Sequence, residues 1–353
     1  MSNGLLSSER LAGGQIVREP VGFEQGYWAG APGFYYAQDE KAFYVTYRLR
    51  RPRGVPPDRG GEARIARSTD LKSFVDVWSV TKDAYQSASI ERSAIRKAAD
   101  GQWHYFTSYV DPADGRWCVA RIKGREVNSL DAAKVERIFS AAPLGLEGIK
   151  DPWIFEERGT FYMFLSVAVA TPKTRKESHE TLDIFNTGEC VSATGLATSR
   201  DLNSWKWEGV VFAPDKPGWE QYCRRINSVV PFGGKYFAFY DGSASEAENY
   251  EEKTGLAVST DLRSWKSLTT SGPLWTSPSA SKSLRYIDAQ VVEGKVCLFY
   301  EFARPDGSHD LRMMQVAMEN LPFQAKVDAA SGASESIAGG VGSRPAGEAA
   351  RAG

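Results

Sequence analysis

The 353-residue chain carries 43 basic and 44 acidic residues, a formal charge of −1, which excludes the concentrated basic face of a nucleic-acid binder. Hydrophobic residues make up 42% and aromatics 12%, enough to fill a sizeable core of pleated strands, while no run approaches the ~18 apolar residues of a membrane span. Cys118, Cys190, Cys223 and Cys297 form neither a C-x-x-C pair nor a metal-ligand rhythm, and residues 1–10 lack the basic-then-apolar pattern of a secretory signal, so a soluble, reducing, cytoplasmic setting is expected.

In chain order, residues 1–13 read as a loose, flexible lead-in, and residues 15–23 as a strand able to close the last unit of a repeat. A polar turn followed by an aromatic-rich strand then recurs as DEKAFYVTY (39–47), DGQWHYFTS (100–108), RGTFYMFLS (158–166), GGKYFAFY (233–240) and EGKVCLFY (293–300). The first apolar residues of these copies are Phe43, Trp103, Phe161, Tyr236 and Val296, about sixty residues apart with one interval of about seventy-five. Another apolar run precedes each copy. Between copies lie three S-x-D-L turns, Ser68–Leu71, Ser199–Leu202 and Ser259–Leu262, in which the Asp side chain suits acceptance from backbone N–H groups two residues on.

Each unit therefore reads as strand, tight turn, strand, longer loop, strand, S-x-D-L turn, strand. Four antiparallel strands repeated five times predict an all-β, five-bladed β-propeller over residues 14–325. Residues 326–353, rich in Ala, Gly, Ser and Glu, are expected to be a disordered tail.

In such a repeat the start of each innermost strand and the end of each second strand share one face, opposite the S-x-D-L turns. The inner-strand starts align as Gly33, Ser93, Asp151, Ile226 and Tyr286, preceded by Pro32, Arg92, Lys150, Arg225 and Arg285, with Glu91, Arg224, Asn227 and Asp288 in the same shell. The second strands end at Arg48, Ser108, Ser166, Asp241 and Glu301. Carboxylates and cations at one rim of an otherwise apolar repeat suit a functional site, and equally a set of salt bridges tying the units together. Long loops crown this rim: 168–194 with His179 and Asp183, 243–254 with four glutamates, and 304–310 with His309. Glu251-Glu252-Lys253 reads as a solvated charge run.

Lys150-Asp151-Pro152-Trp153-Ile154-Phe155, followed by Gly159-Thr160-Phe161-Tyr162-Met163-Phe164, resembles the (R/K)DP stretch of five-bladed propeller glycosidases. These are the fructan hydrolases, the arabinanases and β-xylosidases of family 43, and the mannoside phosphorylases. The resemblance spans residues 20–323 and implies acid/base chemistry by pocket carboxylates, one protonated to assist the leaving oxygen and one ionised as base or nucleophile. Asp151 matches the DP aspartate, which by the resemblance orients substrate or tunes the acid. The family's aspartate near the start of the first unit has no counterpart in WAGAPG (28–33), so Glu91 and Asp288 or Glu301 join Asp151 as the catalytic candidates.

Trp28 is placed to stack on the sugar, and Arg48, Arg92, Lys150, Arg225, Asp241, Tyr286 and His309 to position it. The rim cations point either to a substrate carboxylate or phosphate or to neutralisation of neighbouring carboxylates. The leading expectation is a glycoside hydrolase acting on a small, optionally anionic oligosaccharide. A phosphorylase, a non-catalytic sugar-binding propeller and a lyase on an acidic sugar stand as alternatives. The only partner expected is this small-molecule carbohydrate, without nucleic acid or membrane. No metal or cofactor is required, although a calcium ion in the channel is compatible with oxygen-rich surroundings.

Overall fold

The computed structural model describes residues 4–279 and 281–328, so most of the segment expected as a tail lies outside the described residues. Among the described residues the chain is all-β apart from α1 (Ser8–Ala12), a helical segment at 323–328 and short 3-10 turns. Strand β1 (Gln15–Arg18) precedes five successive antiparallel units. The first comprises β2 (Trp28–Ala37), β3 (Ala42–Arg51), β4 (Arg59–Ser68) and β5 (Val75–Thr81). The second comprises β6 (Ala94–Lys97), β7 (Trp103–Val110), β8 (Trp117–Gly124) and β9 (Glu136–Phe139). The third is β10 (Gly148–Glu157), β11 (Thr160–Ala170), β12 (Cys190–Ser199) and β13 (Lys206–Phe212). The fourth is β14 (Cys223–Phe232), β15 (Lys235–Ser243), β16 (Lys253–Ser259) and the short β17 (Lys266–Ser267). In the fifth, β18 (Leu284–Val292), β19 (Lys295–Ala303) and β20 (His309–Ala317) take their outer strand from β1, as the sequence suggests.

The S-x-D-L motif folds the same way three times. Asp70, Asp201 and Asp261 each accept from the backbone N–H groups two and three residues on. Ser68, Ser199 and Ser259 in turn accept from the backbone of the Leu three residues on. Leu71, Leu202 and Leu262 adopt left-handed backbone with φ of 57, 61 and 63°, a conformation the paired side-chain bonds hold in place.

Packing follows a cyclic order. The innermost strands touch in sequence, β2 to β6, β6 to β10, β10 to β14, β14 to β18, and β18 back to β2. Five apolar clusters fill the seams between consecutive units, including the seam of the fifth with the first, where Phe34, Phe43 and Val45 meet Val292, Cys297 and Phe299. Each fully buried Phe, Leu or Val in a seam contributes roughly 1.5–3 kcal/mol relative to exposure. The lead-in departs from expectation: Leu6 and Leu11 are buried among Trp275, Tyr300 and Phe323, and Tyr300 Oη donates to the Leu11 carbonyl at 2.6 Å. An amphipathic first turn with an apolar partner is packed, not loose. All four cysteines are buried free thiols. Among the described residues no helix is long and apolar enough to cross a membrane.

Candidate functional site

Four of the five inner strands carry the same irregularity at the same height. Register shifts fall between Gly30 and Gly33 in β2, Lys150 and Trp153 in β10, Ile226 and Ser228 in β14, and Arg285 and Asp288 in β18. Such bulges re-aim side chains toward a common point. Ala31, Asp151 and Tyr286 occupy equivalent bulge positions with φ of 51, 56 and 54°. Ala31, not Gly33, stands where Asp151 stands in the third unit, because a four-residue turn (38–41) joins β2 to β3 where only two residues (158–159) join β10 to β11. The aligned second-strand ends pair in register with these bulges, as in Arg225 with Asp241 and Arg285 with Glu301.

All twelve singled-out residues converge on one buried network. Glu301 fills the place left by the missing first-unit carboxylate: its Oε2 accepts from Ala31 N–H at 3.0 Å and Arg48 Nη2 at 3.2 Å. Its Oε1 accepts from Arg285 Nε at 3.0 Å and Nη2 at 2.7 Å and faces His309 Nδ1 at 2.7 Å. Arg48 also pairs with Glu91 at 2.7 Å. Asp288 accepts from Phe34 N–H, Trp153 Nε1, Gln290 and Arg92. Arg92 reaches across the centre to Pro32 O at 2.7 Å and Asn227 O at 3.0 Å. Arg225 and Arg285 both bind Glu252, and Trp28 stacks on His309 with ring centroids 4.8 Å apart.

Asp151 is held more loosely. It accepts from Arg92 N–H at 3.3 Å and Tyr286 Oη at 3.4 Å, and Lys150 Nζ lies 3.7 Å away. Asp241 accepts from Tyr286 N–H at 3.0 Å through Oδ1, while its buried Oδ2 has no partner.

Environment pushes these carboxyls in opposite directions. Burial, reinforced by the Glu252 charge, raises Asp241, and burial raises Asp288. Burial also opposes ionisation of Glu301, but Arg285 and Arg48 override it and hold the group well below the usual carboxylate range. Glu252 is likewise lowered by Arg225 and Arg285 against its burial. Opposed shifts of this kind separate proton donors from ionised groups.

The rim cations are matched one by one: Arg48 by Glu91 and Glu301, Arg92 by Asp288, Lys150 by Asp151, Arg225 by Glu252, and Arg285 by Glu252 and Glu301. Glu252 corrects the reading of a solvated run, since it is fully buried and its neighbour Glu251 faces His309 Nε2 at 3.0 Å. Charge counting gives no signal for Glu252, because the five rim cations are already balanced by Glu91, Asp151, Asp241, Asp288 and Glu301. Arg50, Tyr250 and the buried role of Asp183 were also missed. Tyr250 donates to Asp183 and packs against Trp28 and Arg50. Directly outside them lies a cavity of about 450 Å³ lined by Trp28, Arg50, Arg53, Asn249, Tyr250 and Glu251. The central acids are buried beneath a floor of Trp28, Arg50 and Tyr250 and do not line this cavity. Among the described residues no three His, Cys, Asp or Glu side chains are grouped to hold a metal, because the central oxygens are turned to guanidinium groups and backbone N–H.

No protein-family model matches the chain, and no curated sequence matches it. Solved structures do. A thermostable family-43 glycoside hydrolase superposes with a TM-score of 0.57 at 13% identity, over 81% of this chain and 89% of its own. The β-1,2-mannobiose phosphorylase of Listeria innocua gives 0.57 at 14% identity, over 89% and 95%. The α-L-arabinofuranosidase of Lactobacillus brevis gives 0.56 at 15% identity, over 81% and 90%. The resemblance read from the Lys150–Phe155 stretch thus holds at the level of the fold.

Proposed function

We propose that the chain is a glycoside hydrolase acting on a small oligosaccharide, built on a closed five-bladed propeller over residues 14–325. The cyclic contacts of the inner strands and the filled seam between the fifth and first units support closure. Four unbridged cysteines support a reducing, cytoplasmic setting.

The observation that carries the hydrolytic reading is the contrast between Asp151 and Asp241 around Tyr286. Asp241 is biased toward its protonated form by burial and Glu252 and is the proton donor to a leaving oxygen that reaches it when the Trp28–Tyr250 floor opens. Asp151, whose carboxylate contacts all lie at 3.3 Å or beyond, retains acceptor capacity and takes the proton of the attacking water. Water adds to the anomeric carbon, the glycosidic bond breaks, and the two carboxyls exchange protonation states. Glu301, Glu252, Glu91 and Asp288 hold the surrounding cations and backbone.

Turnover of an aryl-glycoside and oligosaccharide panel tests this. Asp151→Asn and Asp241→Asn should each lower kcat by about 10²–10⁴, with Glu91→Gln as comparison. Full activity in both Asp variants would remove the assignment.

A second reading, sugar binding without catalysis, is favoured by the sealing of the acids beneath Tyr250 and by the double ion-pairing of Glu301. Calorimetric binding with no turnover across the panel supports it. A phosphorylase is distinguished by turnover that requires inorganic phosphate.

A further inference from the structure

The cavity outside Trp28 has an unusual floor. Arg48, Arg92, Arg225 and Arg285 all donate hydrogen bonds to carboxylates or carbonyls. Arg50 is equally buried, with only 4% of its side chain exposed, yet among the described residues it donates none. Its nearest carboxylate oxygen, Glu91 Oε1, is 3.6 Å from Nη1, and Glu91 is already committed to Arg48 at 2.7 Å. Arg50 Nε and Nη1 are both buried without a hydrogen-bond partner. The guanidinium is clamped between two rings, its carbon 4.9 Å from the Trp28 centroid and 4.5 Å from that of Tyr250. Stacking fixes the plane of the group and leaves its edge as the place where donors can be used.

Two further unpartnered atoms belong to residues lining the same cavity: Trp28 Nε1, a donor, and Asn249 Oδ1, an acceptor. Arg53, half-exposed, stands at the wall. A buried guanidinium without hydrogen bonds is costly unless a ligand completes it. The volume of about 450 Å³ suits a small sugar.

We propose that this cavity binds a sugar bearing an oxyanion, a carboxylate or a phosphate ester, which the Arg50 fork receives, while Trp28 Nε1 and Asn249 Oδ1 take ring or hydroxyl groups. This names the substrate class of the proposed glycosidase and rests on that reading for its chemistry, but not for its binding. It also moves the anion-recognising cation from the matched arginines to Arg50.

Calorimetry of the full chain with D-glucuronate and D-galacturonate, against D-glucose and D-galactose, tests the carboxylate source. Glucose 6-phosphate against glucose tests the phosphate source, and inorganic phosphate is run alone. At least one acidic sugar should bind about tenfold or more tighter than its neutral counterpart, with an advantage that shrinks as salt rises. Arg50→Gln should erase that advantage, and Arg50→Lys should retain part of it. Thermal melts confirm folding, and Asn249→Ala offers an independent loss of affinity if Arg50→Gln does not fold. No preference for any acid, a preference unchanged in Arg50→Gln, or inorganic phosphate binding as tightly as every sugar acid overturns the proposal. Arg50-dependent binding without turnover of any glycoside leaves it standing and removes the hydrolase instead. Turnover of neutral glycosides with no acid preference does the reverse.

Discussion

The carboxylate of Glu301 lies against the backbone of Gly30, in space that a side chain there would claim: a Cβ on Gly30 would sit 2.0 Å from Glu301 Oε2. The fifth unit thereby lends its acid to the first, whose own bulge offers only Gly30, Ala31 and Pro32. Gly30 is needed for this close approach and not for its backbone angle. Gly30→Ala should destabilise the fold by about 1–3 kcal/mol through forced displacement of a doubly ion-paired carboxylate, read as a lower denaturant midpoint. An unchanged midpoint would show that Glu301 can move aside freely.

Glu252 neutralises two fully buried guanidiniums, those of Arg225 and Arg285. Removing it by Glu252→Ala should cost about 3–5 kcal/mol, because both charges lose a partner in a dry interior. Replacing the exposed Glu180 by Ala in the neighbouring rim loop should stay within about 0.5 kcal/mol. Equal small losses in both variants would return Glu252 to the status of a solvated charge.

The repeat was legible because each unit repeats a local rule: aromatic alternation for the strands, and Ser and Asp at fixed offsets for the turn. The second-strand ends were legible for the same reason, since Arg48, Asp241 and Glu301 follow directly from strand length. The register of the first inner strand was not. The turn at 38–41 is two residues longer than those at 158–159 and 293–294, so counting back from Phe43 lands on Gly33 instead of Ala31. Glu252 and Tyr250 lie in an irregular loop, where neither period nor spacing tells an inward side chain from an outward one. Leu6 and Leu11 find their partners in the fourth and fifth units, more than 200 residues away, a pairing no local pattern announces.

His309 sits with a carboxylate on each ring nitrogen, Glu301 at 2.7 Å from Nδ1 and Glu251 at 3.0 Å from Nε2, and Trp28 on its face. Arg285 and Arg48 face it only through Glu301. Satisfying both acids requires both nitrogens to carry protons. Burial opposes the charge, but Glu251 and Glu301 prevail and raise the imidazole above its ordinary value. A group raised in the folded state contributes stability that is complete below its unfolded value of about 6.5 and is lost as pH rises through the folded one. The stability difference between the parent chain and His309→Gln should therefore be largest in mild acid and shrink toward alkaline pH. A difference that grows with pH would show a neutral imidazole.

Leu11 is fully buried against the fourth and fifth units, and Tyr300 caps its carbonyl. The next residues run directly into β1, the strand that completes the fifth unit on β20. Leu11→Ala should lose about 2–5 kcal/mol from the transfer and cavity terms together. The loss should not stay local. Loosening the lead-in frees the outer edge strand, so hydrogen exchange should rise in β1 and in the facing residues Leu311–Met313 before the first three units respond. Uniform exchange across all units in Leu11→Ala would mean instead that the five units unfold as one cooperative body, with β1 no more than a passenger on it.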